Sequence, residues 1–405
     1  MSWEKVKLQD CCLYTTSGGT PLSSREDYYL PAEIPWLKTK EVNYCRIYDT
    51  ESKISRKGLE NSSAKLIPEN SVIIAMYGQG GTAGRVAINK VPLTTNQACC
   101  NLVIDNSKAN YEFVYYFLCT QYDKLVSLKN GGAQPNLNAK KIKEFEIDLP
   151  PLDIQNRIAS ILSRYDDLIE NYQHQIQLLE EAAQRLYKEW FVDLHFPGYE
   201  NTNIVDGVPE GWEKKNIEDL CLTIKAGGTP SRRKDNYWVP GTIKWVKTKE
   251  LQDNWILDTE EYISEDGLNN SSTKLFPKNT ILMAIYASPT LGRLGILNCE
   301  STCKQAALGL IANESIISYQ WLYYKLFELR EHFNAVARGA GQQNISSDVV
   351  KKKEIVCPPK KIIDMFTDIV NPIFRKSLAI TSQIRLLTEA RDRLLPKLMS
   401  GEITV

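Results

Sequence analysis

Residues 18–41 read GGTPLSSREDYYLPAEIPWLKTKE, and residues 227–250 read GGTPSRRKDNYWVPGTIKWVKTKE. At this offset of 209, 12 of the 24 positions are identical with no gap. Working outward, the same offset pairs Trp3-Glu4-Lys5 with Trp212-Glu213-Lys214, Asn61-Ser62-Ser63 with Asn270-Ser271-Ser272, and Lys65-Leu66 with Lys274-Leu275. After one deletion the offset becomes 208 and pairs Gly84-Arg85 with Gly292-Arg293, Gln97 with Gln305, Gln134 and Asn136 with Gln342 and Asn344, and Pro150-Pro151 with Pro358-Pro359. The chain is an internal duplication. A repeat of 208 residues is far too long for a solenoid unit, so each copy contains a domain.

Within a copy, the first 150 or so residues alternate short apolar runs with Gly, Pro and Asn. Residues 71–77, 101–104 and 145–149 have strand length and composition, as does 280–286 in the second copy. Residues 111–126 read as a helix with Phe113, Tyr116, Phe117 and Leu125 on one buried face. After the di-proline the apolar positions run Ile154, Ile158, Ile161, Tyr165, Leu168, Tyr172, Ile176, Leu179, Ala183, Leu186, Trp190. Their steps alternate four and three, with one extra four after Tyr172: a heptad stripe with a stutter. The second copy offers Ile362, Phe366, Ile369, Ile373, Ile380, Ile384, Leu387, Leu394 and Leu398, with Pro372 expected to bend or delay its helix. Two independent surface helices would leave both stripes unsatisfied, whereas mutual pairing buries both. The expected fold is α+β: mixed α/β domains at 1–151 and 196–359, separated and joined by long helices at 152–195 and 360–405. Those helices are expected to pair as an antiparallel coiled coil with pseudo-twofold symmetry.

The bulk composition narrows the class. A chain of 405 residues exceeds one compact core, and 43% hydrophobic with 24% charged residues is ordinary for a globular protein. No apolar run approaches membrane-spanning length, and Met1-Ser2-Trp3-Glu4-Lys5 lacks a basic n-region followed by an apolar stretch. A cytoplasmic protein without membrane contact is expected. The 10 cysteines show no C-x-x-C spacing and there are only 3 histidines, so reduced core thiols fit better than zinc ligands. The balance of 49 basic against 49 acidic residues counts mildly against nucleic-acid binding. Locally, however, Lys225, Arg232, Arg233, Lys234, Lys244, Lys247 and Lys249 stand against Asp235 alone, which predicts a basic face.

The junction Trp190-Phe191-Val192-Asp193-Leu194-His195-Phe196-Pro197-Gly198-Tyr199-Glu200, followed by Val208-Pro209-Glu210-Gly211-Trp212, resembles the specificity (S) subunits of type I restriction-modification systems. The Gly-Gly-Thr-Pro starts, Gln134-Pro135-Asn136-Leu137, and the ending Leu394-Leu395-Pro396-Lys397-Leu398-Met399-Ser400-Gly401-Glu402-Ile403 are similar to that family too. The resemblance spans the whole chain, and the doubled order of the motifs is more specific than any one of them. It implies two target-recognition domains reading the halves of a split site in double-stranded DNA, with the helices setting the spacer. It also implies docking of two modification subunits that bind S-adenosylmethionine and methylate adenine. Restriction subunits, translocase and nuclease driven by ATP and Mg, are the further partners implied. No cofactor is expected in this chain itself.

Candidate DNA contacts follow the duplication. Thr20 and Thr229 belong to the Gly-Gly-Thr-Pro starts. Lys38, Thr39 and Lys40, with Lys247, Thr248 and Lys249, suit phosphate contacts or else form a solvated edge, where Glu41 and Glu250 pair with the lysines. The loop Gly78-Gln79-Gly80-Gly81-Thr82-Ala83-Gly84-Arg85 could be taken for a nucleotide-binding loop, but it lacks the Gly-Lys-Ser/Thr ending. A loop after a buried strand that aims amides and an arginine at DNA is the better reading, with a plain turn as the alternative; its residues are Tyr77, Gln79 and Arg85, matched by Tyr286, Ser288 and Arg293. Asn96 and Gln97, Lys304 and Gln305, Gln134 and Asn136, and Gln342 and Asn344 carry amides or an amine suited to base edges, although amides also cap turns. Asn96 favours adenine and Lys304 guanine, so the half-sites are expected to differ. The Trp36/Trp245 and Tyr77/Tyr286 pairs suit a core better than base stacking. No catalytic constellation emerges: the di-prolines are not preceded by Asn or Asp and followed by an aromatic residue, as an adenine methyltransferase would require. A free-standing DNA methyltransferase and a helical scaffold that ignores DNA are the alternatives.

Overall fold

The computed structural model describes residues 3–78, 81–128, 136–286, 290–339 and 344–405. The chain divides into two compact units, Met1–Ile169 with Leu386–Val405, and Glu170–Arg385.

The main sheet of the first unit contains β1 (Cys12–Ser17), β2 (Cys45–Ile47), β3 (Val72–Ala75), β4 (Val86–Asn89) and β5 (Cys99–Ile104), in the order β1-β5-β3-β4-β2. Neighbours are antiparallel except β2 and β4, which run parallel. Every residue of β3, β4 and β5 is buried. The reason is visible in the alternation of side chains: Val72 and Ile74 enter one apolar cluster, Ile73 and Ala75 another, so both faces of the strand are covered. The helix α1 (Tyr111–Cys119) lies in the first cluster through Phe113, Val114 and Phe117. Asn110 caps it, its Oδ1 accepting the amides of Glu112 and Phe113 at 2.9 and 3.0 Å. The single helix expected over 111–126 is two, α1 and a shorter piece over Tyr122–Ser127. Between them the Thr120 hydroxyl bonds back to the Phe117 carbonyl at 2.7 Å, a local alternative to the helical ladder. The expected face of Phe113, Tyr116, Phe117 and Leu125 is buried all the same.

The long helix α2 (Leu152–Phe191) starts directly after Pro150-Pro151 and is shared between the units. In the second unit, β6 (Cys221–Ala226), β7 (Asn254–Ile256), β8 (Ile281–Ala284), β9 (Leu294–Leu297) and β10 (Ala307–Ala312) repeat the topology as β6-β10-β8-β9-β7, again with the last pair parallel. The register repeats as well: Leu102 faces Val72 in the first sheet, and Leu310 faces Ile281 in the second. The helix α3 (Tyr319–Glu328) takes the place of α1, and α4 (Lys360–Met399) that of α2.

Within each unit α2 and α4 pair antiparallel. In the first, Ile158 and Leu162 share a core with Leu398 and Met399, and Asp166 bonds Arg391. In the second, Tyr187, Trp190 and Phe191 surround Phe366 with ring centroids 6.1, 6.2 and 5.1 Å away. The stripe itself needs correction. Buried Gln155, Ala159, Leu162, Asp166, Ile169, Ile176, Ala183, Tyr187 and Trp190 keep one heptad phase, so α2 has no stutter. Ile161, Tyr165 and Leu168 lie one place off the seam, where Leu168 is 39% exposed, and Ile158 beside them is buried as well. Polar Gln155 and Asp166 occupy seam positions that hydropathy rejects. They are satisfied there: Gln155 accepts the Asn110 amide and donates to the Pro150 carbonyl, while Asp166 meets Tyr116 and Arg391. On α4, Ile369 is exposed and Val370 takes the buried place. Pro372 does not delay α4, which begins at Lys360. Pro372 and Asp368 both face outward, so water reaches the carbonyl that loses its helical donor.

None of the ten cysteines forms a disulfide among the described residues. Burial pushes the Cys12 and Cys100 thiols up to about 12, which keeps them protonated and unreactive. No helix among the described residues is long and apolar enough to cross a membrane.

Candidate nucleic-acid interface

The Gly-Gly-Thr-Pro segment is held where no side chain fits. A Cβ on Gly18 would lie 2.0 Å from the Thr95 carbonyl oxygen, and one on Gly227 would lie 2.1 Å from that of Cys303. The close approach lets the Gly19 amide donate to Thr95 O, and the Gly228 amide to Cys303 O, both at 2.9 Å. Trp36 and Trp245 are core residues, 6% and 1% exposed, and their indole Nε1–H groups donate to the Gly19 and Gly228 carbonyls. This seat brings Thr20 to Gln97 and Thr229 to Gln305, where each threonine hydroxyl donates to the glutamine Oε1. Residues 77 apart in the first copy and 76 apart in the second thus form the same exposed pair twice.

The ends of β3 and β8 gather the remaining residues. The Met76 amide bonds Ala98 O, beside Gln97, and the Leu137 amide bonds Met76 O at 3.0 Å, which places Asn136 next to Tyr77. In the second unit Ile285 bonds Ala306 O, Ile345 bonds Ile285 O, and Tyr286 forms a β-bridge with Asn344. Tyr286 is 39% exposed and Tyr77 is half-buried, so these tyrosines reach the surface, unlike the tryptophans. Thr39 Oγ1 lies 3.4 Å from the Cβ position of Gly78, which brings the Lys38-Thr39-Lys40 turn to the same loop. Thr20, Thr39, Tyr77, Gln97 and Asn136 therefore converge on one edge of the first unit. The hydrogen-bonding pattern around Thr229, Tyr286, Gln305 and Asn344 repeats in the second.

Gln79, Gln134, Ser288 and Gln342 lie outside the described residues. The loop after β3 returns through Arg85 into strand β4, so among the described residues it does not lead into a helix N-terminus that could cradle a nucleotide phosphate. Arg85 is half-buried and donates to Asn43 Oδ1 at 3.0 Å; Arg293 is half-buried at the matching place. Asn96 is half-buried and its Oδ1 accepts the Ala98 amide at 3.2 Å, so it caps the turn and presents Gln97 outward. The half-buried Lys304 precedes Gln305 in the same way. Among the described residues, Glu41 and Glu250 serve backbone amides. Glu41 accepts the amides of Lys38 and Glu51, and Glu250 those of Lys247 and Glu260.

The basic face expected between Lys225 and Lys249 is cancelled in part, since four of its seven cations meet acids in the folded chain. Arg232 meets Glu261, Lys244 approaches Asp258 at 3.8 Å, Lys247 meets Glu260 and Glu261, and Lys249 meets Glu260 at 2.6 Å. Lys249 and Lys247 hold the Glu260 carboxyl below its usual range. In the first unit Lys40 pairs with Glu51, while the Lys38 ammonium sits 5.0 Å above the Trp36 ring.

Two residues that sequence reasoning missed brace the loop. Tyr122 donates to Gly81 O at 2.9 Å, and Arg330, at the equivalent position 208 residues later, donates to Gly292 O at 2.8 Å. Arg330 is itself held by Asp253. The two share no residue type, so an identity-based alignment passes over them.

Comparison with known proteins agrees with the duplication. The type I restriction modification DNA specificity domain matches twice, over residues 1–181 and 209–386. The type I restriction enzyme MjaIX specificity subunit of Methanocaldococcus jannaschii is 30% identical, covering 100% of this chain and 94% of its own. The HindI specificity subunit of Haemophilus influenzae is 24% identical over 94% of this chain and 97% of its own. Among solved structures, the S subunit of a type I restriction-modification system from M. genitalium superposes with a TM-score of 0.62 over 98% of this chain and 96% of that one. At 16% identity this likeness speaks to the fold alone.

Proposed function

The chain belongs to the type I restriction-modification specificity family, and from that premise we propose how it reads DNA. It is a non-catalytic recognition subunit that binds a bipartite DNA target and directs adenine methylation and restriction by partner subunits. Segments 1–151 and 196–359 act as the two target-recognition domains, one for each half-site, and 152–195 and 360–405 join them. Two modification subunits carry S-adenosylmethionine, and restriction subunits carry ATP and Mg; the complex works in the cytoplasm.

The observation that carries this reading is the repeated edge. The same Gly-Gly seat, Thr–Gln pair and Tyr–Asn neighbours occur in two copies of one fold, whereas the loop residues 79–82 and 288–290 differ. A common frame with different loops suits a protein that reads two different sequences in one way. Thr20, Gln97, Asn136 and Tyr77, with Thr229, Gln305, Asn344 and Tyr286, form the reading edge. Gln79, Gln134, Ser288 and Gln342 fall in the loops of that edge by sequence. Lys38, Thr39, Lys40, Lys247, Thr248 and Lys249 supply phosphate contacts, joined by Arg85 and Arg293; Asn96 and Lys304 support the glutamines.

The test is selection of randomised duplex DNA by the chain assembled with its modification subunits, followed by methylome sequencing in cells. A two-part motif with a fixed spacer is the expected result. Exchanging residues 78–84 for 287–292 changes one half and leaves the other. A perfectly palindromic motif, or an exchange that alters both halves, refutes the reading.

A further inference from the structure

We propose that Gln97 and Gln305 each read an adenine, at the same position of the two half-sites, through an amide that Thr20 and Thr229 hold in place. This rests on the DNA-reading function above and names the base that two residues of that edge recognise. Each glutamine is held by a threonine hydroxyl. That hydroxyl has one proton, and in both units it is given to the glutamine Oε1. The carbonyl keeps a second acceptor position and the amide nitrogen keeps both of its protons. Neither glutamine makes another side-chain hydrogen bond among the described residues, and both are exposed.

A free glutamine turns its amide over to suit either a donor or an acceptor. Here the threonine hydroxyl holds the side chain in place, and with its proton on Oε1 one acceptor and one donor of the amide face outward. In the major groove that pair complements adenine, whose N6 donates and whose N7 accepts. Guanine presents acceptors at both O6 and N7, so one of them would meet the amide carbonyl whichever way the amide is turned. The seat that places the threonine is equally constrained in both units, because Gly18 and Gly227 admit no Cβ. What differs lies around the pair: Asn96 against Lys304, and Tyr122 against Arg330 under the neighbouring loop. The shared pair therefore accounts for a base common to both half-sites, and the differing neighbours for the bases that are not shared. Thr20 and Thr229 are positioning residues.

The experiment is selection from randomised duplex DNA by the full chain with its modification subunits, with thermal unfolding of each variant as a control. The parent should enrich an adenine at equivalent places of both halves. Gln97→Ala should lose about tenfold to hundredfold discrimination at that one position of the first half, and Gln305→Ala the same in the second. Gln97→Glu, which only accepts, should move the preference from adenine towards cytosine, whose N4 donates. Thr20→Val should relax the same position, and Thr20→Ser should restore it, which a merely structural threonine would not do. Uniform loss at all positions, relaxation at a base other than adenine, or an unchanged motif in the folded variants overturns the proposal. Failure of the parent to enrich any bipartite motif refutes the DNA-reading function itself.

Discussion

Arg391→Ala should destabilise the first unit more than Asp166→Ala, although the two residues face each other in one ion pair. Asp166 Oδ1 accepts from Arg391 at 2.6 Å, and its Oδ2 accepts from the Tyr116 hydroxyl at 2.5 Å. The Asp166 side chain is 11% exposed and that of Arg391 24%. Removing the arginine leaves a buried carboxylate with Tyr116 as its only hydrogen-bond partner among the described residues, a loss of about 3 kcal/mol. Removing the aspartate is milder, because Arg391 keeps Asp392 at 2.8 and 3.0 Å and some access to water. The remaining cost is chiefly the unpaired Tyr116 hydroxyl, about 1–2 kcal/mol. The second copy shows what an apolar solution looks like. The positions 208 away are Phe374, Ala183 and Tyr324, and the Tyr324 and Phe374 rings lie 5.8 Å apart. Asp166→Phe combined with Arg391→Ala copies that solution, so the double variant should come within about 1 kcal/mol of the parent. Urea unfolding, with hydrogen exchange of amides in α2 and α4 to localise the change, supplies the three values. If Asp166→Ala is the more damaging single change, or if the double variant is as unstable as the two singles added together, the account of this seam is wrong.

Glu180 lines a small cavity with Asp253, Tyr323, Tyr324 and Phe374, and burial followed by the Asp253 charge pushes its carboxyl up to about 7. The unfolded chain ionises near 4.5 while the folded one keeps the proton, so stability should fall as pH rises from about 4.5 to about 7 and then level off, by at most about 3 kcal/mol. Glu180→Gln should flatten that slope in urea midpoints taken at pH 5 and 8; an unchanged slope contradicts the assignment. Gly18→Ala should abolish sequence preference in the first half-site and spare the second, because the new Cβ meets Thr95 backbone at 2.0 Å; selection from randomised DNA reads this directly, and a variant with both halves intact counts against the seat. Lys38→Ala and Lys247→Ala should each weaken binding to all sequences alike and reduce the slope of log affinity against log salt by about 1. Altered base preference in either lysine variant would show that it reads bases.

The sequence by itself determined the duplication, the mixed α and β character of each copy and the two long helices. Those features are written in neighbouring residues: strand-length runs such as Val72–Ala75, a heptad period after Pro150-Pro151, and glycines that recur 209 residues apart. Local pattern is enough because backbone geometry and hydrophobic period act over a few residues. The helix seam was decided by tertiary structure. Gln155 and Asp166 look misplaced until the Asn110 amide, Tyr116 and Arg391 arrive, the last from 225 residues away. The same holds for charge and for the site. Seven cations around Lys247 suggested a basic face, but the acids that neutralise several of them, Asp258, Glu260 and Glu261, come from the following strand region. Asn96 and Gln97 were equivalent candidates in the linear chain. Folding turned one into a turn cap and gave the other a threonine partner, which is 77 residues distant and reaches it only through a backbone approach that glycine alone allows.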